Sequence, residues 1–146
     1  MVRQQLRPRG APLCPANLTG VQLIHTCYRI TDPERSVAFY EALGFEKRRE
    51  LPIRDEAVNI FMGVPGEEGH ELELTYNFGV DGYELGSAYG HVALAVDDLD
   101  ETLGRLAEQG IKPEKPPYSV REGGSRLCFV RDPDDYRIEL IERKPG

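Results

Sequence analysis

HTCYRITDPERSVAFYEALG, residues 25 to 44, comes back as HVALAVDDLDETLGRLAEQG, residues 91 to 110, at a constant offset of 66 with no gap. In the first copy a β-rich run, His25 to Ile30, precedes a helix that Asp32 can cap, with Pro33 at its first position and Gly44 closing it. Val37, Tyr40 and Leu43 give that helix one apolar face. In the second copy His91 to Val96 reads as the strand, Asp98 and Glu101 as a capping pair, and Leu99, Leu103 and Leu106 as the apolar stripe before Gly110. Internal repetition therefore governs the fold.

The offset continues into the later strands: Phe61 meets Leu127, Val64 meets Val130, Leu72 meets Ile138, Glu73 meets Glu139 and Leu74 meets Leu140. Turns are expected at VPGEEG, residues 64 to 69, and at RDPDD, residues 131 to 135. Each unit then reads strand, helix and about three strands, which predicts an α+β protein of two tandem βαβββ units, residues 21–80 and 89–143. Their curved sheets are expected to pair around a metal-binding cavity. The middles, residues 50 to 60 and 116 to 126, match poorly, and residues 1–20, rich in Pro and Gly, read as a flexible tail.

With 146 residues, 40% apolar and 29% charged, the chain is long enough for one domain or two halves sharing a core. Its net charge of -7 includes Arg3, Arg7 and Arg9 in an acid-free N-terminus, so the rest is more acidic still, which disfavours nucleic acid and anionic membranes as partners. No apolar run approaches the roughly 20 residues of a membrane span, and the N-terminus lacks the apolar core of a signal peptide, so a cytoplasmic location is expected. Cys14, Cys27 and Cys128 show no metal-type spacing and are expected as reduced thiols, the latter two as small buried fillers.

Of only three histidines, two fall at equivalent places in the two copies, His25 and His91, and one glutamate from each copy, Glu73 and Glu139, does the same in the last strand. A single strand histidine is usually a hydrogen-bonded structural residue; symmetric placement of two reverses that reading. If equivalent residues face a shared axis, two imidazoles and two carboxylates suit a divalent transition metal with positions left for substrate oxygens. Arg29 shares the strand face of His25 and Cys27, and is read either as the salt-bridge partner of Glu71 or Glu73 or as an anion-binding group beside the metal. Glu71 reads as a solvated residue or the partner of a nearby base, and His70 as an exposed turn residue.

HTCYR at 25 to 29, ELTYNFGVD at 73 to 81, YELGSAYGH at 83 to 91 and DPDDYRIEL at 132 to 140 together resemble glyoxalase I, the lactoylglutathione lyases, of the short bacterial type within the vicinal-oxygen-chelate superfamily. The resemblance covers about residues 21 to 143. It implies a homodimer whose metal site takes His25 and Glu73 from one subunit and His91 and Glu139 from the other. It also implies Glu139 as catalytic base, Arg29 and Asn77 as contacts to the glutathione portion, and His91 close to substrate. The metal favoured by resemblance is Ni2+ or Co2+, with Zn2+ allowed, and the expected reaction turns the hemithioacetal of methylglyoxal and glutathione into S-lactoylglutathione.

Two departures stand out. Asp135 occupies a turn position where the family usually has glycine, so a positive φ is expected there, and VREGGS at 120 to 125 replaces the usual Lys-Gly-Thr pattern. Arg121 is the candidate substitute for that basic contact, with Glu122 beside it. The alternatives on the same frame are an extradiol-type dioxygenase, a thiol transferase, and a metal-free ligand-sequestering resistance protein. The fourth matched ligand, Glu73, weighs against all three.

Overall fold

A computed structural model describes residues 20–144. The expected tail falls almost wholly in residues 1–19, outside the described residues, as does Cys14. The first unit contains β1 (His25–Ile30), α1 (Pro33–Ala42), β2 (Glu46–Ile53), β3 (Ala57–Gly63) and β4 (Glu71–Asn77); the second contains β5 (Val92–Val96), α2 (Leu99–Ala107), β6 (Leu127–Arg131) and β7 (Arg137–Glu142).

The helices begin and end alike because their sequences carry the same signals. Asp32 accepts a hydrogen bond from Arg35 N and Asp98 one from Glu101 N, capping α1 and α2. At the other end Phe45 N bonds Tyr40 O and Gly44 N bonds Glu41 O, while Ile111 N bonds Leu106 O and Gly110 N bonds Ala107 O. Both closures need a left-handed residue, supplied by Gly44 at φ 106° and Gly110 at φ 75°.

The first sheet has the order β1-β4-β3-β2 and the second β5-β7-β6; in each, the first strand is parallel to the last and the hairpin is antiparallel. No strand of one sheet pairs with a strand of the other among the described residues. The fourth strand expected in the second unit does not form. Its place is taken by an irregular segment that touches β6 through Glu114 N to Phe129 O and a lone bridge between Tyr118 and Leu127. Pro113, Pro116 and Pro117 account for this, since proline donates no ladder hydrogen bond and fixes φ.

A second correction concerns the repeat itself. Phe61 lies opposite Glu73 in register, and Phe129, not Leu127, lies opposite Glu139. The β6–β7 hairpin is two residues shorter than the β3–β4 hairpin, so the gapless offset of 66 fails in this strand and recovers in the next.

Alternation sends Leu72 and Leu74 of β4, and Ile138 and Leu140 of β7, into one core with Ile30, Phe39, Leu99 and Leu106. Ser36 and Thr102, again 66 apart, are the buried polar residues of the two helices. The second unit also reaches into the first: Tyr40 Oη donates to Asp132 at 2.7 Å, Thr31 Oγ1 to Asp134 at 2.6 Å, and Tyr136 Oη to Arg29 O at 2.9 Å. Tyr28, Tyr89 and Tyr136 pack edge-on to one another across this joint.

Candidate metal centre

The opposite face of each sheet carries the polar residues. On β1 and β4, His25 Nε2 stands 3.1 Å from Glu73 Oε2; on the loop before β5 and on β7, His91 Nε2 stands 2.9 Å from Glu139 Oε2. The carboxylates are largely covered, 13% and 16% exposed, whereas the histidines keep 36% and 39% of their side-chain surface open. Each pair therefore brings one imidazole nitrogen and one carboxylate oxygen side by side, two of the donors that a five- or six-coordinate divalent metal requires.

Within one chain the four ligand candidates form two pairs rather than one cluster, and no group of three or more His, Cys, Asp or Glu is assembled among the described residues. The condition for all four to converge, that equivalent residues face one shared axis, is not met within one chain among the described residues. The reason is topological: the pairs sit on separate sheets held together by helices and the 132–136 turn, not by their polar faces. The donor chemistry of each pair fits a divalent metal, and within one chain each pair supplies two protein ligands.

The neighbours of each pair were mostly missed in the sequence. Phe61 meets the His25 ring edge-on, centroids 5.8 Å apart, and Phe129 meets His91 in the same way at 5.2 Å. Arg49 lies over the Phe61 ring and grips Glu71 through two hydrogen bonds of 3.1 and 2.9 Å. Arg137 lies over Phe129 and grips Glu114 through two of 2.8 Å. These bonds hold the carboxyls of Glu71 and Glu114 below the usual range, Arg49 acting on the first and Arg137 on the second. Allowing the repeat to slip by two residues would have aligned Phe61 with Phe129.

Glu71 is accordingly the partner of a base, Arg49 with Arg48 behind it, and Arg29 pairs with neither Glu71 nor Glu73. Arg29 remains exposed on the face of His25, opposite Thr75 in register. Asn77, at the end of β4, donates to Tyr83 Oη at 2.9 Å. Thr75 Oγ1 donates to Asn59 Oδ1 at 2.9 Å and lies 3.3 Å from Glu73 Oε1. Arg121 is exposed in a turn closed by Gly124 N to Arg121 O. Cys128 is buried as expected, but Cys27 is exposed beside Thr75, because it shares the polar face of β1. His70 is exposed and bonds Thr26.

Two related strand-helix-sheet halves, four-stranded in the first and three-stranded in the second and each bearing a His–Glu pair on its polar sheet face, define a protein of the paired-module type with a candidate metal centre. The Glyoxalase/Bleomycin resistance protein/Dioxygenase superfamily matches residues 22–140. Lactoylglutathione lyase of Salmonella typhimurium is 40% identical over 127 residues, covering 85% of this chain and 94% of the relative. By that likeness the chain belongs to the lactoylglutathione lyase family. A probable chloroplastic lactoylglutathione lyase of Arabidopsis thaliana is 39% identical, but the chain spans only 36% of its length. Among solved structures, the trypanothione-dependent glyoxalase I of Leishmania major superposes with a TM-score of 0.70 at 34% identity, covering 84% of this chain and 86% of that one.

Proposed function

We propose that the protein isomerises the hemithioacetal of methylglyoxal and glutathione to S-lactoylglutathione, as a cytoplasmic homodimer with metal sites shared between subunits. The duplicated His–Glu pair carries this reading. His25 and Glu73 of one copy, with His91 and Glu139 of the other, supply four ligands for Ni2+ or Co2+, with Zn2+ also accommodated. When bound, the metal supplies Lewis-acid stabilisation of the negative charge that builds on the two vicinal oxygens.

Glu139 removes the proton from the carbon that bears sulfur and returns it to the neighbouring carbon, while the hydroxyl proton of the first carbon passes to the oxygen of the second, so the thiol adduct becomes a thioester with no net gain or loss of atoms. The covered setting of Glu139 limits competing water, while His91 Nε2 at 2.9 Å orients it. Arg29 and Asn77 hold the carboxylate and amide groups of the thiol, and Arg121 offers a further cation from the second unit. Free thiols at Cys27 and Cys128 suit a reducing compartment.

The test is thioester formation from methylglyoxal, followed in the ultraviolet with glutathione and with trypanothione as the thiol. Activity with glutathione is expected to vanish after dialysis against a chelator and to return with nickel or cobalt. Full turnover by the metal-stripped protein would remove the metal from the reading, and turnover with trypanothione alone would reassign the thiol.

A further inference from the structure

Each candidate half-site rests on the same three-part support with its charges exchanged between strands. In the first unit the guanidinium comes from Arg49 on β2, opposite Phe61 in register, and the carboxylate from Glu71, two residues before the ligand Glu73. In the second unit the position two before the ligand Glu139 holds the guanidinium, Arg137, and the carboxylate, Glu114, comes from the segment beside Phe129. The outcome is nevertheless one geometry: the guanidinium carbon sits 3.9 Å from the centre of Phe61 and 4.0 Å from that of Phe129. The histidine rings then meet those phenyl rings at 76° and 80°.

Two solutions with opposite strand polarity and the same arrangement imply that the arrangement is what matters. The histidines are more than a third exposed, and the glutamate approaches each ring only at Nε2. An imidazole so held keeps a free rotation unless a second surface stops it, and the phenyl ring is that surface. The phenyl ring in turn is pinned by a guanidinium whose own plane is fixed by a two-bond grip on a carboxylate. We propose that Arg49 with Glu71, acting through Phe61, and Arg137 with Glu114, acting through Phe129, are positioning residues that preset the imidazoles of His25 and His91 for metal capture.

This rests on the ligand set of the proposed function, so the test begins with the parent. Metal-stripped full-length protein is titrated with Co2+ and followed by its visible absorption. If the parent binds no cobalt, or binds it undiminished after His25→Ala, the ligand set is wrong and this inference falls with it. If the parent binds through that set, Arg49→Ala is expected to weaken cobalt binding about 10-fold and to alter the cobalt spectrum, with the thermal midpoint of the metal-free protein little changed. The double exchange Arg49→Glu with Glu71→Arg copies the polarity of the second unit and is expected to restore both affinity and spectrum.

Phe61→Leu provides a reading independent of the ion pair, because it keeps apolar bulk and removes the ring; it is expected to lose affinity as Arg49→Ala does. Parent-like affinity and spectrum in Arg49→Ala or in Phe61→Leu would overturn the proposal while leaving the ligand set standing. So would an exchange variant that regains folding stability but not cobalt affinity, since the pair would then serve only the fold.

Discussion

Glu71 and Glu73 sit two residues apart on one strand face and have become different residues through their neighbours. Glu71 is spent on Arg49 and Arg48, whereas Glu73 faces His25. Repetition already separated them in the sequence, since Glu73 falls on Glu139 and Glu71 on Arg137; the arginine was legible there, but its place over Phe129 was not, because ring stacking leaves no periodic trace. Glu73 and Glu139 are matched in cover and in distance to their histidines, so only the reaction distinguishes them. In Glu139→Gln the shape of the side chain is kept and its basicity lost, so turnover is expected to fall roughly 10²- to 10⁴-fold while elemental analysis still finds metal. Glu73→Gln should retain much more turnover at equal metal content; an equal fall in both variants would take the base role away from Glu139.

At the scale of the element, the RDPDDY turn shows what local pattern can and cannot reveal. Its existence, and the left-handed backbone at Asp135, now φ 69°, followed from the residues. Its docking on the first unit did not, because the partners of Asp132 and Asp134 lie roughly a hundred positions earlier and no local signal marks them. Buried at 3% exposure, Asp132 has its carboxyl pushed up to about 6 by desolvation, against the pull of the Tyr40 hydroxyl and of two backbone amides. The folded chain then holds a proton that the unfolded chain has released between about pH 4 and 6, so this group favours folding at the acid end and the benefit is lost as pH rises. A rise from 3.8 to about 6 corresponds to at most roughly 3 kcal/mol. Glu71, Glu114 and Glu142, with carboxyls held low by arginines, act in the opposite sense, so the raw stability curve mixes the two. Asp132→Asn cannot titrate, and the difference in denaturant unfolding free energy, variant minus parent, is expected to climb from pH 4 to pH 7 and then level. A flat difference would mean that Asp132 ionises as an ordinary surface carboxylate does.

For the whole molecule, the decisive fact is that the two His–Glu pairs lie on different sheets and do not meet in one chain. The duplicated units, the helix ends and the ligand candidates could all be read from the repeat, because helix caps, alternation and rare residues leave marks at fixed spacing. How many copies complete a site could not, since pseudo-symmetry is satisfied equally by facing halves of one chain or by halves of two. Subunit mixing discriminates between these. In a symmetric dimer with shared sites, one site joins His25 and Glu73 of the first copy to His91 and Glu139 of the second, and the other site is the reverse. His25→Ala and Glu139→Gln homodimers each carry damage in both sites and should be nearly inactive. A heterodimer of the two variants concentrates both lesions in one site and leaves the other wholly intact. Equal amounts, unfolded together and refolded at random, give one half heterodimers with one good site of two, so about a quarter of parental activity should return. If each chain built its own site, the mixture would contain no intact site and would stay as inactive as its components.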